Sequence, residues 1–439
     1  MSLLCLDIGS TWTKGALVSA EGELLATAQH QTTPPEVMHG IDAVTAAVDG
    51  CDAAVLACSS AGGGLRLAVV GHERLISAEA GHRVALSAGA KVVHVSAGCL
   101  DGAGVRALRA AAPDVVLLVG GTDGGDERVL LHNASRLGKA RVRPPIVLAG
   151  NVAAREAALT ALSGRTVVAT DNVLPDVGEL APGPARAAIR QVFLRHVIGG
   201  KGLSRGPRFR QLVRTVTPDA VLSGVARLAG VLADDEPGAV LVVDVGGATT
   251  DVYSAVSTVA SVEEKQTRTV ALPADRRTVE GDIGMRWSAQ GVVAEAAVER
   301  LISAEEAEAL APLAAARSRS VDWIPDSAEE SRVDLRLAAL AAILAVRRHL
   351  RMVDGRLGPR GAGLLVLSGG VFRHAPDVSA VEEALRADPV LRPVLRTASV
   401  VVDRDYVLAP AGLMSDAGHG DAADSLLRSR LAQPAASRG

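Results

Sequence analysis

Aromatic residues are nearly missing from this chain: its 439 residues include three Trp, two Tyr and three Phe. Burial must come instead from Val, Leu and Ala, which suits layered α/β packing. Lysine is almost as scarce, at positions 14, 91, 139, 201 and 265, with arginine supplying the other positive charges. A lysine inside a motif is therefore informative. The balance of 46 Lys plus Arg against 49 Asp plus Glu leaves a formal net charge of -3, and no cluster of five or more basic residues occurs, so no nucleic-acid partner is expected. Four cysteines, Cys5, Cys51, Cys58 and Cys99, lack C-x-x-C spacing. They predict reduced thiols rather than a zinc ribbon or a disulfide framework. The longest strictly apolar stretch, 337–346, is too short to cross a bilayer. Asp7 interrupts the first apolar run, which has no basic segment before it, so a secretory signal is not predicted. The expectation is a soluble, cytoplasmic protein with no membrane partner.

Apolar residues make up 48% of the chain, enough to exclude disorder. The opening segments LLCLDIGSTWTKGALVS (3–19) and ELLATAQHQT (23–32) read as a hairpin, followed by a helical window, the strand AAVLACSS (53–60) and the strand LRLAVVG (65–71). From about 80 to 215 the pattern becomes short Val-rich strands ending in glycine or small polar residues, at 91–98, 114–121, 144–151 and 165–170. Helix-length segments separate them, the signature of a parallel sheet covered on both faces. After 216 the first pattern restarts with PGAVLVVDVGGATTDVYSAV (237–256), the strand-forming run TRTVALP (267–273), long Ala-rich helices and GLLVLSGGVF (363–372). The expected organisation is a first lobe at 1–82, an inserted α/β domain at 83–215 and a second lobe at 216–439.

Two segments share one design: DIGSTWTK (7–14) and DVGGATTD (244–251). A strand that ends in Asp, bends on glycine and presents hydroxyls offers phosphate oxygens both backbone N–H donors and side-chain donors. Either bend alone is more often a plain hairpin. Repeated 237 positions apart after aliphatic runs, they suggest a diverged duplication that grips a polyphosphate from both sides. Carboxylates beside phosphates are tolerated mainly with a hard divalent cation between them, which makes Asp7 and Asp244 candidates for holding Mg2+. Lys14 would neutralise phosphate charge. LVLSGGVF (365–372) would let a base and ribose pack on bare backbone. GGTDGGD (120–126) and LAGN (148–151) lie at strand ends, where open parallel sheets bind ligands; they read either as ordinary glycine turns or as a surface for a partner or a nucleotide-like ligand. His94, His132, His196 and His374 are scattered singly and suggest no metal site.

DIGSTWTK, DVGGATTD and LSGGV, in this order, resemble the first phosphate, second phosphate and adenosine motifs of the superfamily of actin, heat-shock chaperone ATPases, sugar kinases and cobalamin-enzyme reactivases. Together with GGTDGGD, LAGN, TVEGDIGMR and SGGVFRH, they make the chain similar over essentially its whole length to the glutamate mutase accessory proteins called MutL or GlmL, which are unrelated to the mismatch-repair protein. The resemblance implies two duplicated actin-like ATPase lobes, an α/β fold, closing over ATP and Mg2+. It places Asp7, Gly9, Ser10, Thr11 and Lys14 at the β- and γ-phosphates, Gly246, Gly247, Ala248 and Thr249 opposite them, and Ser368, Gly369 and Gly370 at the adenosine. Asp7 and Asp244 would act through metal-bound water, and Asp251 would orient the attacking water. The implied function is an ATP-hydrolysing chaperone that reactivates an adenosylcobalamin-dependent mutase. A small-molecule kinase on the same scaffold is the alternative, although no distinctive sugar-binding Asp motif is evident. An iron-sulfur activator would need cluster cysteines that Cys51 and Cys58 do not obviously supply.

Overall fold

The structure, a computed structural model, describes residues 2–432 apart from 10, 61–64, 72–80, 82–83, 85–89, 178, 194, 196–206, 234–237, 257–274, 354–356 and 358–360. The first strands are β1 (Leu3–Ile8), β2 (Trp12–Val18), β3 (Leu24–Gln31) and β4 (Ala54–Ser59). Next come β5 (Arg66–Gly71), β6 (Lys91–Ala97), β7 (Val115–Leu118), β8 (Ile146–Leu148), β9 (Val167–Ala169) and β10 (Val213–Val216). The chain continues with β11 (Ala239–Val245), β12 (Thr250–Val256), β13 (Asp275–Glu280), β14 (Ala362–Ser368) and β15 (Ser399–Val402).

Among the described residues these strands form three five-stranded sheets. The first runs β3-β2-β1-β4-β10 and the second β13-β12-β11-β14-β15. In each, the first three strands are antiparallel and the last three are parallel. The duplication suggested by the glycine bends thus extends to the whole strand order. The third sheet, β6-β5-β7-β8-β9, is parallel throughout and is the inserted unit.

Two strands belong elsewhere than their sequence position suggested. The run at 66–71, grouped above with the first lobe, pairs with β6 and β7 in the inserted sheet. Conversely β10, expected within the insert, pairs with β4 as the fifth strand of the first sheet. A buried parallel strand such as β5 is an apolar run whichever sheet it joins, so its sequence does not name its partner; β10, VRTV with Arg214 exposed, presents no apolar run at all. The run TRTVALP lies outside the described residues, and the strand that flanks β12 on the side away from β11 is 275–280.

Side-chain alternation along the central strands sets up the site. In β1, Leu4, Leu6 and Ile8 enter the core beneath the insert, while Leu3 and Cys5 face a core shared by both lobes. In β11, Leu241, Val243 and Val245 enter the second-lobe core, and Val240 and Val242 face the shared one. Asp7 and Asp244 continue the shared-face series at the strand ends. The shared core is filled by helices Thr217–Val231 and Leu408–Asp416. These cross closely: a Cβ on Gly412 would fall 1.8 Å from the Ala220 carbonyl oxygen, and one on Gly224 would fall 2.1 Å from that of Leu408. Any larger residue at either position must separate the helices.

Among the described residues no helix is long and apolar enough to cross a membrane.

Candidate functional site

The two glycine bends have the same geometry. Gly9 N–H donates to the Trp12 carbonyl at 3.0 Å, and Gly246 N–H donates to that of Thr249 at 2.9 Å. Both bends open onto one cleft of about 1190 Å3 between the lobes. Its lining includes Asp7, Gly9, Thr11 and Lys14 from the first lobe and Asp244, Gly246, Gly247, Ala248, Thr249 and Asp251 from the second. Gly369 and Gly370 join them. Ser10 lies outside the described residues. Ser368 departs from expectation: it is 3% exposed, pairs with Asp244 across the strands, and does not line the cleft. Gly369 beside it is irreplaceable for two reasons. Its φ is +110°, and a Cβ would fall 2.3 Å from the Val245 carbonyl oxygen.

The three acidic residues have different surroundings. Asp7 is 4% exposed. Its Oδ1 accepts the Thr217 hydroxyl proton and its Oδ2 accepts from the Tyr406 hydroxyl at 3.0 Å, with the Lys14 ammonium 3.9 Å away. Asp251 is clamped as well: Oδ1 accepts from Nε and Nη2 of the buried Arg277, and Oδ2 accepts from Thr249 at 3.1 Å. Asp244 sits directly across the strand pair from Asp251, and among the described residues no donor meets it. Burial, reinforced by Asp251, Asp7 and Asp403 and opposed by Lys14, pushes its carboxyl up to about 6. Of the two facing carboxylates, one is engaged by Arg277 and Thr249 while the other retains free lone pairs.

TVEGDIGMRW braces the second bend. After β13, the Met285 and Arg286 N–H groups donate to the Gly246 and Gly247 carbonyls at 2.9 and 2.8 Å. The Arg286 guanidinium then reaches Asp334 at 2.9 Å and the Trp323 carbonyl at 3.2 Å, fixing a wall of the same cleft. From the insert, helix Pro182–Val192 brings Ile189 and Arg190 to the cleft, where Arg190 Nε donates to Asp219 at 2.5 Å.

Sequence reasoning missed the aromatic content of this cleft. All three tryptophans (Trp12, Trp287, Trp323) and both tyrosines (Tyr253, Tyr406) line it. Their rarity was the available signal, as it was for Lys14. Thr217 and Arg277 had none, because each acts through a partner far away in sequence.

At the inserted sheet's strand ends the polar groups serve one another. Asn151 accepts from Gly124 N–H at 3.0 Å and donates to the Gly125 carbonyl at 3.1 Å; Asn172 donates to the Gly121 carbonyl and to Asp123, both at 2.9 Å. This geometry braces glycine turns. Cys51 is exposed and Cys58 is buried, with the Cys58 thiol donating to Asp7 at 3.6 Å. Among the described residues no group of three or more His, Cys, Asp or Glu could hold a metal ion, so Mg2+ would need one or two carboxylates, waters and phosphate oxygens, its usual ligand set. Asp244, a hard oxygen donor with free lone pairs facing the cleft, fits that requirement, and Asp7 lies in the same cleft.

A protein-family model described as MutL protein matches residues 3–431. Protein MutL of Clostridium tetanomorphum is 32% identical over 446 residues, covering 94% of this chain and 96% of that protein. Among solved structures, an N-acetylmannosamine kinase candidate from Listeria monocytogenes is 11% identical, with coverage of 98% and 100% and a TM-score of 0.32. Plasmodium falciparum glycerol kinase with ADP is 10% identical, with coverage of 97% and 92% and a TM-score of 0.34. Similarities of that size carry no argument. The two-lobed fold stands on the repeated strand order.

Proposed function

This chain belongs to the MutL family of glutamate mutase accessory proteins, and we propose that it binds Mg-ATP between its two actin-like lobes and hydrolyses it while reactivating an adenosylcobalamin-dependent mutase. The observation that carries this reading is the convergence of two equivalent glycine bends on one cleft, with a free carboxylate, Asp244, at the second of them. Backbone N–H groups at both bends and the Lys14 ammonium would hold the phosphates. Gly369 and Gly370 would face the adenosine.

Asp7 and Asp244 would hold Mg2+ through its retained waters, and the ion would offset the charge on the phosphates. Asp244, the unclamped acid, is suited to orient a water and accept its proton. Asp251, to which the resemblance assigns that role, accepts hydrogen bonds from Arg277 and Thr249. Phosphoryl transfer needs positioning and charge neutralisation more than covalent chemistry, and the cleft offers both. The cytoplasm, where ATP is abundant, is the proposed location.

The test is ATP turnover with and without a purified cobalamin-dependent mutase, together with recovery of activity by mutase that has been inactivated. Stimulated turnover and recovered activity support the proposal. Turnover indifferent to the mutase, or phosphate transferred to a polyol or acid acceptor, replaces it with the kinase alternative.

A further inference from the structure

Five described non-glycine residues have positive φ: Asp49, Ala112, Arg141, Arg300 and Tyr406. The first four each lie two residues beyond the last residue of a helix, at Ala47, Ala110, Lys139 and Val298, where a left-handed residue is an ordinary way to stop. Tyr406, at φ 56°, precedes the helix that starts at Leu408, so helix termination does not account for it. A bulky residue in this region is an outlier that the surroundings must enforce. The turn is held by Asp403, whose carboxylate accepts from Val407 N–H at 2.8 Å and Leu408 N–H at 3.4 Å.

The conformation places a tyrosine that is 8% exposed against two residues of the first bend. Its ring centroid lies 3.5 Å from the Lys14 Nζ, and its hydroxyl donates to Asp7 Oδ2 at 3.0 Å. Burial, with the Asp7 and Asp244 carboxylates, Cys58 and Tyr253 adding to it, pushes the phenol well above its ordinary value; it remains a donor. Asp7 and Lys14 are themselves directly opposite in the β1-β2 pair. Tyr406 also sits where the chain leaves β15 of the second sheet and enters a helix that packs against β1 and β4 of the first.

We propose that Tyr406 is a positioning residue of the first phosphate bend, its ring seating the Lys14 ammonium and its hydroxyl fixing the Asp7 carboxylate. The inference rests on reading the cleft as a nucleotide site, and it assigns separate effects to the two parts of one side chain. The ring sets a cation that meets the phosphates, so its loss weakens binding. The hydroxyl sets a carboxylate needed in the reaction, so its loss slows turnover.

The test compares Tyr406→Phe with Tyr406→Leu in the full chain, with thermal unfolding of each variant as the folding control. Tyr406→Phe is expected to bind Mg-ATP within about threefold of wild type while kcat falls about tenfold or more, the loss of a hydrogen bond to a charged group. Tyr406→Leu is expected to weaken binding about tenfold, the scale of a desolvated cation–π contact. In nucleotide-free protein, acylation of Lys14 followed by mass spectrometry should be severalfold faster in Tyr406→Leu and close to wild type in Tyr406→Phe. If wild type binds no Mg-ATP the nucleotide reading fails, and Lys14 acylation still decides whether Tyr406 seats the ammonium. If wild type binds and both variants match it, or if both lose binding and turnover in parallel with thermal stability, the assignment to Tyr406 is overturned. Unchanged Lys14 acylation in a folded Tyr406→Leu protein overturns it as well.

Discussion

Replacing Asp244 with asparagine should stabilise the nucleotide-free protein while abolishing ATP turnover. The carboxyl rises from 3.8 to about 6 because burial, aided by Asp251 across the strand pair, disfavours its charge; that difference corresponds to about 3 kcal/mol. An acid whose folded-state pKa is raised incurs no penalty while it is neutral in both states, so stability is fully present below about 3.8. The penalty grows as pH rises toward 6, where the unfolded chain is ionised and the folded one is not, and is complete above 6. Asparagine has the same shape and no charge, and so never incurs it. In thermal unfolding without nucleotide, Asp244→Asn should melt several degrees above wild type at pH 7.5, with about half that margin at pH 5. A variant less stable than wild type at pH 7.5, or one with the same margin at both pH values, would refute the argument. The first result would mean that the carboxylate makes stabilising bonds, and the second that its charge is irrelevant.

The other carboxylate of that pair should behave in the opposite way. Asp251→Ala leaves the buried Arg277 guanidinium uncompensated and should cost about 3–5 kcal/mol in denaturant unfolding, whereas Asp251→Leu combined with Arg277→Met should recover most of it; a benign single variant would show that the pair is not needed. Gly412→Val puts side-chain atoms where a Cβ would already lie 1.8 Å from a backbone oxygen. It should lower stability by about 3 kcal/mol, and an unchanged melting temperature would deny the tight helix crossing. A thiol reagent at pH 8 should titrate the exposed Cys51 and Cys99 quickly and the buried Cys5 and Cys58 slowly, because burial pushes Cys5 up to about 12 and Cys58 well above its ordinary value. Four equally fast thiols would contradict that burial.

What the sequence made legible was local. DIGSTWTK and DVGGATTD carry their turn chemistry within eight residues each, and their repetition pointed to the duplicated lobes. The strand at 66–71 was recognisable as a strand, but not as a member of the inserted sheet, because its partners β6 and β7 begin 25 and 49 positions after its own first residue. The family resemblance assigned Asp251 to orienting a water; nothing local announced that Arg277, on β13, would bond to it. Tyr406 was equally hidden: its contacts with Lys14 and Asp7 join chain segments nearly 400 positions apart. Roles set by a turn could be read in advance, while roles set by tertiary pairing needed the fold.

Amide hydrogen exchange with and without Mg-ATP tests the central claim most directly. A nucleotide gripped by both bends should slow exchange in residues 7–14 and 244–251 together. Unchanged exchange at both, or slowing confined to one of them, would contradict a phosphate site shared between the lobes.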